Sequence, residues 1–244
     1  MLKKIFLAPA ALAAFLCCPM ALAGEATQVF IDNGELNYFG HLSAEANKKA
    51  LELLNAQAAA ITTLSIRSGG GPTEVGMELG RLVRKHKLRV KVMEFCFSSC
   101  ANYVFTAAPQ KIVSNFAVVG YHGGETSSDF QFDDEQEAKF DALPAEQRAA
   151  ARQQLIDAIK RGRAPQAEQE RLYFQEIGVQ QRITTLGELP EYAKSRYAEG
   201  NSPGWTYSID DFAKLGVTNI TVVNGPWNPR FVSAALTVQR VRVD

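Results

Sequence analysis

Three short stretches combine residue types that can do acyl-transfer chemistry. Cys96-Phe97-Ser98-Ser99-Cys100-Ala101 ends an apolar run and opens a helical pattern. A serine there sits near a helix N-terminus, where unpaired amides stabilise developing negative charge. Tyr121-His122-Gly123-Gly124 ends the next apolar run. His122 is a base of the right type to take a serine proton. Ser68-Gly69-Gly70-Gly71 ends an earlier run, and glycines let backbone amides approach a ligand closely. Each stretch also has a plain reading. Triple glycine is common in turns, Ser98 or Ser99 can merely cap a helix, and His122 can be a satisfied core histidine. No Gly-Lys-Ser/Thr follows the glycines, so a nucleotide P-loop is unsupported.

Cys96 and Cys100 admit a disulfide or two free thiols. Two sulfurs without a nearby histidine pair make a poor zinc set, so no metal is expected. A disulfide across four residues is tight and needs a non-helical start.

These stretches need a scaffold that brings strand ends together. Thr27–Ile31 alternates like a strand, Asp32-Asn33-Gly34 is a hairpin turn, and Glu35–Leu42 returns. Ser43 caps a helix whose apolar face is Ala50, Leu51, Leu54 and Ala58. Strand at Ala60–Ile66, helix at Thr73–His86, strand at Leu88–Phe95, helix at Ser98–Ala107 and strand at Ile112–Val119 follow. That alternation predicts an α/β fold with a mostly parallel sheet. All three stretches then lie at carboxyl ends of strands, where such folds place their sites. Residues 125–200 differ: they are polar, rich in Ala, Gln, Glu and Arg, and predict an excursion of two or three helices within one domain. Lys160-Arg-Gly-Arg163 is a basic cluster there, read as a solvated helix end rather than an anion site. Helix at Ile209–Leu215, strand at Ile220–Val223 and a final strand within Leu236–Val243 complete the pattern.

Composition narrows the classes. Of 244 residues, 46% are hydrophobic and 21% charged, an ordinary globular balance that excludes a mostly disordered chain. Basic and acidic residues number 26 each, so no global field attracts nucleic acid. Residues 1–23 read as a signal peptide: Lys3 and Lys4, an apolar core, then Ala21-Leu22-Ala23 before Gly24. Pro9 and Pro19 interrupt the core, which argues against a retained membrane span. Phe15-Leu16 before Cys17 argues against lipidation. Cleavage predicts a periplasmic domain over 24–244 with a net charge near −2, holding only Cys96 and Cys100 in an oxidising compartment.

Taken together, Arg67-Ser-Gly-Gly-Gly-Pro-Thr-Glu-Val-Gly-Met77, Ser99 and Tyr121-His122-Gly123 resemble the Clp protease proteolytic subunit and its crotonase-fold relatives, including signal peptide peptidases. Ser208–Asn219 is similar to that family's late helix. The resemblance covers about residues 27–123 and 205–223. It implies a spiral of strand–helix units with Ser99 as nucleophile, rather than Ser98, and His122 as base. The oxyanion hole would be the amides of Gly71 (or Gly70) and Cys100. It also implies a peptide or protein substrate, no cofactor, and a homo-oligomer, since relatives form trimers or stacked rings. The paired cysteines, absent from cytosolic peptidases, suit an exported branch.

The family's catalytic aspartate precedes the late helix, where this chain has Asn201-Ser-Pro-Gly-Trp205. Glu199, Asp210 and Asp211 are near in sequence, but none matches that place, and Lys111 is the lysine to test for a serine–lysine variant. The missing acid keeps a second class in view, a non-catalytic binding or assembly module on the same fold. An acyl-CoA enzyme ranks lower, because the periplasm lacks the usual CoA pool. An intact Ser99–His122 hydrogen bond would favour hydrolysis. A cleft closed over Ser99 by Trp205 or the excursion would favour binding.

Overall fold

The computed structural model describes residues 26–57, 60–128, 130, 132–192, 204–229 and 238–244. The signal segment 1–23, Glu199 and residues 201–203 lie outside these.

The hairpin forms as predicted. β1 (Gln28–Asp32) pairs antiparallel with β2 (Glu35–Phe39) around Asn33 and Gly34, both at positive φ. Ser43 then caps α1 (Ala44–Ala56), its Oγ accepting from the Ala46 amide at 3.2 Å, and Ala46, Ala50 and Leu54 bury one stripe. β3 (Thr63–Arg67), β4 (Arg89–Val92), β6 (Lys111–Ser114) and β9 (Ile220–Val223) extend the sheet in parallel register, and α2 (Thr73–Lys85) connects β3 to β4. The six strands run in the order β1-β2-β3-β4-β6-β9. The mixed α/β class with a mostly parallel sheet is therefore the observed architecture.

The strand expectations over Leu88–Phe95 and Ile112–Val119 are each too simple. Both runs break. β4 stops at Val92 and β5 (Phe95–Phe97) resumes; β6 stops at Ser114 and β7 (Val118–Gly120) resumes. β5 and β7 pair with each other in a separate two-stranded sheet. Ser114 accounts for the second break: its Oγ accepts from the Ala117 amide at 3.0 Å and donates to Met93 O at 2.8 Å. One hydroxyl therefore ties the two jogs together. Apolar composition runs through both breaks, so periodicity does not reveal them.

The excursion holds α3 (Asp134–Asp141) and the 33-residue α4 (Ala145–Ile177), which ends at Gly178 in the left-handed region. α4 buries only its C-terminal part, through Glu170, Tyr173, Phe174 and Ile177. Lys160–Arg163 is therefore mid-helix, which corrects the expectation of a helix end. β8 (Trp205–Tyr207) pairs in parallel with β10 (Gln239–Val241), and Ser208 caps α5 (Ile209–Lys214), its Oγ accepting from the Asp211 amide at 3.1 Å. Among the described residues, no helix is long and apolar enough to cross a membrane.

α2 packs against the helix that begins at Ser99. Gly76 allows the approach: a Cβ there would lie 2.9 Å from Ser99 Cβ and 2.7 Å from the Tyr103 ring. Tyr173 of α4 then donates its hydroxyl to Tyr103 O at 2.7 Å. The excursion is thereby clamped onto the helix that carries the candidate nucleophile.

Candidate active site

The turn from β5 into the next helix is sharp. Ser98 sits at φ +54°, a conformation that costs an L-residue roughly 1–2 kcal/mol and is held by its surroundings. Its amide donates to Gly120 O at 3.0 Å, and its carbonyl accepts from the Asn102 amide at 2.8 Å. Gly70, at φ +99°, packs directly beneath; a Cβ there would lie 2.8 Å from Phe97 O and 3.0 Å from Ser99 N. The helix from Ser99 contains a π-helical stretch, Cys100–Phe105. Such turns free carbonyls that need partners, and Thr106 Oγ1 donates to Asn102 O at 2.6 Å.

Cys96 and Cys100 form a disulfide, with their Cα atoms 5.3 Å apart. The left-handed Ser98 between them supplies the non-helical start that the spacing requires. The bond closes the loop carrying both serines. For so short a loop, chain entropy gives a stabilisation of about 2 kcal/mol. Replacing both cysteines by alanine is expected to lower unfolding free energy by that amount in urea. It should also slow any reaction at Ser99 beyond what global destabilisation explains. Unchanged reactivity of the double variant would mean the bond is a staple only.

Ser99 and His122 come together on one polar cavity of about 390 Å³, with Gly71, Asn102 and Glu125 also on its wall. Ser99 is 4% exposed, and His122 is exposed. The Ser99 hydroxyl donates to Gly71 O at 2.6 Å, not to His122. Of the oxyanion candidates, the Gly70 amide is already engaged by Ser68 Oγ at 3.1 Å, whereas Gly71 borders the cavity. Cys100 follows Ser99 in the first helical turn. Trp205 is fully buried and is not part of the cavity wall, but Phe130 and Arg163 of the excursion are.

Two nominees from the sequence lie elsewhere. Lys111 begins β6, at the end of the sheet away from His122, and its ammonium donates to Ala108 O at 2.6 Å and Thr218 O at 3.1 Å. Burial, with a smaller contribution from the Arg84 charge, brings its pKa down to about 8. That depression serves no chemistry at Ser99. Asp211 is tied to the end of α5, accepting from Ser208 Oγ at 2.6 Å and Val243 N at 3.1 Å.

Sequence reasoning missed Asn102, Glu125 and Glu170. Asn102 was within reach, since i, i+3 spacing puts it on the Ser99 face of the helix. Its Nδ2 donates to Gly123 O at 2.8 Å, which ties down the segment carrying His122. Its Oδ1 is buried and has no hydrogen-bond partner among the described residues. Asn102→Ala should cost about 1 kcal/mol of stability and release the His122 segment. A labelling rate at Ser99 that stays at the wild-type value would remove this positioning role.

Glu125 accepts from the Thr73 hydroxyl. Glu170 is fully buried and accepts from Tyr103 Oη at 2.7 Å, Gln181 Nε2 at 2.8 Å and the Glu125 amide at 3.3 Å. Burial pushes its carboxyl above the ordinary carboxylate range, although all three hydrogen bonds act against the rise. Among the described residues, no group of three or more His, Cys, Asp and Glu is placed to hold a metal ion.

No family model and no curated protein sequence matches this chain. Solved structures do. ClpP1 from Listeria monocytogenes is 15% identical, with a TM-score of 0.36 over 79% of this chain and 92% of that one. The 1510-N membrane-bound stomatin-specific protease, as a serine-to-alanine mutant, is 12% identical, with a TM-score of 0.36 over 85% and 95%. Enoyl-CoA hydratase from Thermoplasma volcanium is 7% identical, with a TM-score of 0.29 over 37% and 49%. The chain thus spans about half the length of that hydratase. The solved structures similar to this chain are ClpP-like proteases and crotonase-fold enzymes. The likeness is weak in every case, and the chemistry rests on the site's own geometry.

Proposed function

We propose that this chain is a periplasmic serine peptidase-like hydrolase that acts on a peptide or protein substrate. One observation carries the reading: Ser99, at a strained strand-to-helix turn, and His122, at the end of the adjacent strand, share one polar cavity. In the reaction, Ser99 Oγ attacks the substrate carbonyl carbon while His122 takes the hydroxyl proton. The carbonyl oxygen becomes an oxyanion held by the amides of Gly71 and Cys100; losing one such donor typically costs about 3–4 kcal/mol. His122 returns the proton to the leaving amine as the carbon–nitrogen bond breaks. Water then releases the acyl group by the same route. Export by the 1–23 segment and self-association belong to this reading as well; the first rests on the N-terminal charge, apolar core and Ala21-Leu22-Ala23 pattern, the second on the sequence resemblance.

The Ser99–Gly71 hydrogen bond defines a resting arrangement, because the hydroxyl must leave that carbonyl to meet His122. The same bond favours the second reading, a binding module in which Ser99 is only structural. A fluorophosphonate probe on the folded, disulfide-intact protein decides between them. A stoichiometric adduct on Ser99 that His122→Ala prevents supports hydrolysis. No adduct supports the binding module.

A further inference from the structure

Lys160 and Arg163 lie three residues apart on α4, on one face of the helix. Both approach the same ring: Lys160 Nζ is 5.9 Å and Arg163 Cζ 5.7 Å from the Phe130 centroid. Three other arginines of α4 have carboxylate partners, whereas exposed Arg161 has none among the described residues and does not border either cavity. Arg148 pairs with Asp141, Arg152 with Glu137 and Arg171 with Glu168. Among the described residues, neither Lys160 nor Arg163 has one. Glu125, on the same wall, has its carboxylate on Thr73 and pairs with neither cation. Two like charges on one aromatic ring repel each other, and an anion between them relieves that repulsion.

Their position gives the pair a role. Arg163 and Phe130 border the cavity that holds Ser99 and His122. Lys160 borders a neighbouring cavity of about 490 Å³, and the two cavities share Glu125 and Ser127. A ligand extending from Ser99 toward α4 therefore passes an unneutralised cationic pair on an apolar ring. Guanidinium and ammonium groups in such a place recognise carboxylates through charge-assisted hydrogen bonds.

We propose that Lys160, Arg163 and Phe130 form a carboxylate-recognising subsite, so that the substrate is a peptide with a carboxylate on the α4 side of the bond cleaved. This deepens the hydrolase reading and rests on it. The carboxylate is either an acidic side chain or the free end of the chain.

The test uses the Ser99→Ala protein, so that binding is measured without turnover. Three fluorescent peptides of one sequence are compared by anisotropy at about 50 mM salt, where screening is weak. One contains Glu and is amidated, one contains Gln and is amidated, and one contains Gln with a free carboxyl end. One or both carboxylate peptides are expected to bind about tenfold more tightly than the neutral one. Which of them does so tells a side-chain from a terminal carboxylate. Lys160→Gln with Arg163→Gln, both at exposed positions, should erase the difference, and Arg163→Lys should keep part of it. Equal affinities, a preference that survives the double substitution, or no binding of any peptide each overturns the subsite. Hydrolysis is scored separately by fluorophosphonate labelling of the unmutated protein. A labelled Ser99 without charge preference removes only the subsite. A charge preference without labelling removes only hydrolysis and leaves an anion-binding cleft.

Discussion

Ser99→Ala is expected to abolish fluorophosphonate labelling, whereas Ser98→Ala leaves it largely intact. The two serines are adjacent, yet the fold gives them opposite roles. Ser98 occupies the left-handed position that turns the chain, and its amide and carbonyl bind Gly120 and Asn102. The Ser99 hydroxyl reaches the loop carbonyl of Gly71 and borders the cavity with His122. Loss of a serine nucleophile lowers turnover on the order of 10⁴-fold or more. Loss of a turn serine at most shifts stability by about 1 kcal/mol. Ser98→Gly is the cleaner control, since glycine takes positive φ without steric cost. Site mapping by mass spectrometry reads the outcome directly. Equal labelling of the Ser98 and Ser99 variants sinks the assignment.

Glu170 should give stability its own dependence on pH just above the ordinary carboxylate range. It is fully buried on α4, and its carboxyl gathers three donors from three segments: Tyr103 behind the nucleophile, Gln181 beyond α4, and the Glu125 amide beside His122. Glu170→Ala strands those donors, and each buried group left unsatisfied costs about 1–3 kcal/mol. A loss of about 3 kcal/mol or more is expected in chemical denaturation, with α4 loosened from the Ser99 helix. Glu170→Gln keeps the shape and the acceptor for Tyr103, so it should stay close to wild type at neutral pH.

The sign of the pH effect follows from the raised pKa. Between the unfolded value of about 4.3 and the higher folded value, the native state holds the extra proton. Stability from this group is therefore full below that unfolded value and is lost as pH rises through the folded pKa. The wild type should lose stability over that window, and Glu170→Gln should lack the slope. Parallel pH profiles for the two proteins would show that the Glu170 carboxyl does not carry it.

Local patterns carried much of the site. Glycine after a strand, serine opening a helix and histidine ending a strand are short-range signals. The parallel order of elements then requires their strand ends to meet. The hairpin at Asn33-Gly34 and the cap at Ser43 are legible for the same reason, because each depends on a few neighbouring residues. The four-residue cysteine spacing likewise admitted one bridged turn, and the structure forms it.

What neighbouring residues could not carry was decided by packing. The breaks at Met93 and Asn115 depend on Ser114 reaching a strand 21 residues away. The burial of Glu170, 67 residues from Tyr103, depends on where α4 lands. Lys111 looked available to the site until the register of β6 placed it at the opposite end of the sheet. Lys160 and Arg163 read as a solvated helix end; both are exposed, but α4 continues past them and sets both against Phe130. Sequence alone determined the mixed α/β class, the mostly parallel sheet and the placing of glycine, serine and histidine at three strand ends, because these follow from backbone preference and periodicity. Tertiary structure alone decided which proton acceptor Ser99 meets, which acids are buried and which cations stay unpaired. Those depend on solvent exclusion and on distances between distant segments, and no local pattern encodes either.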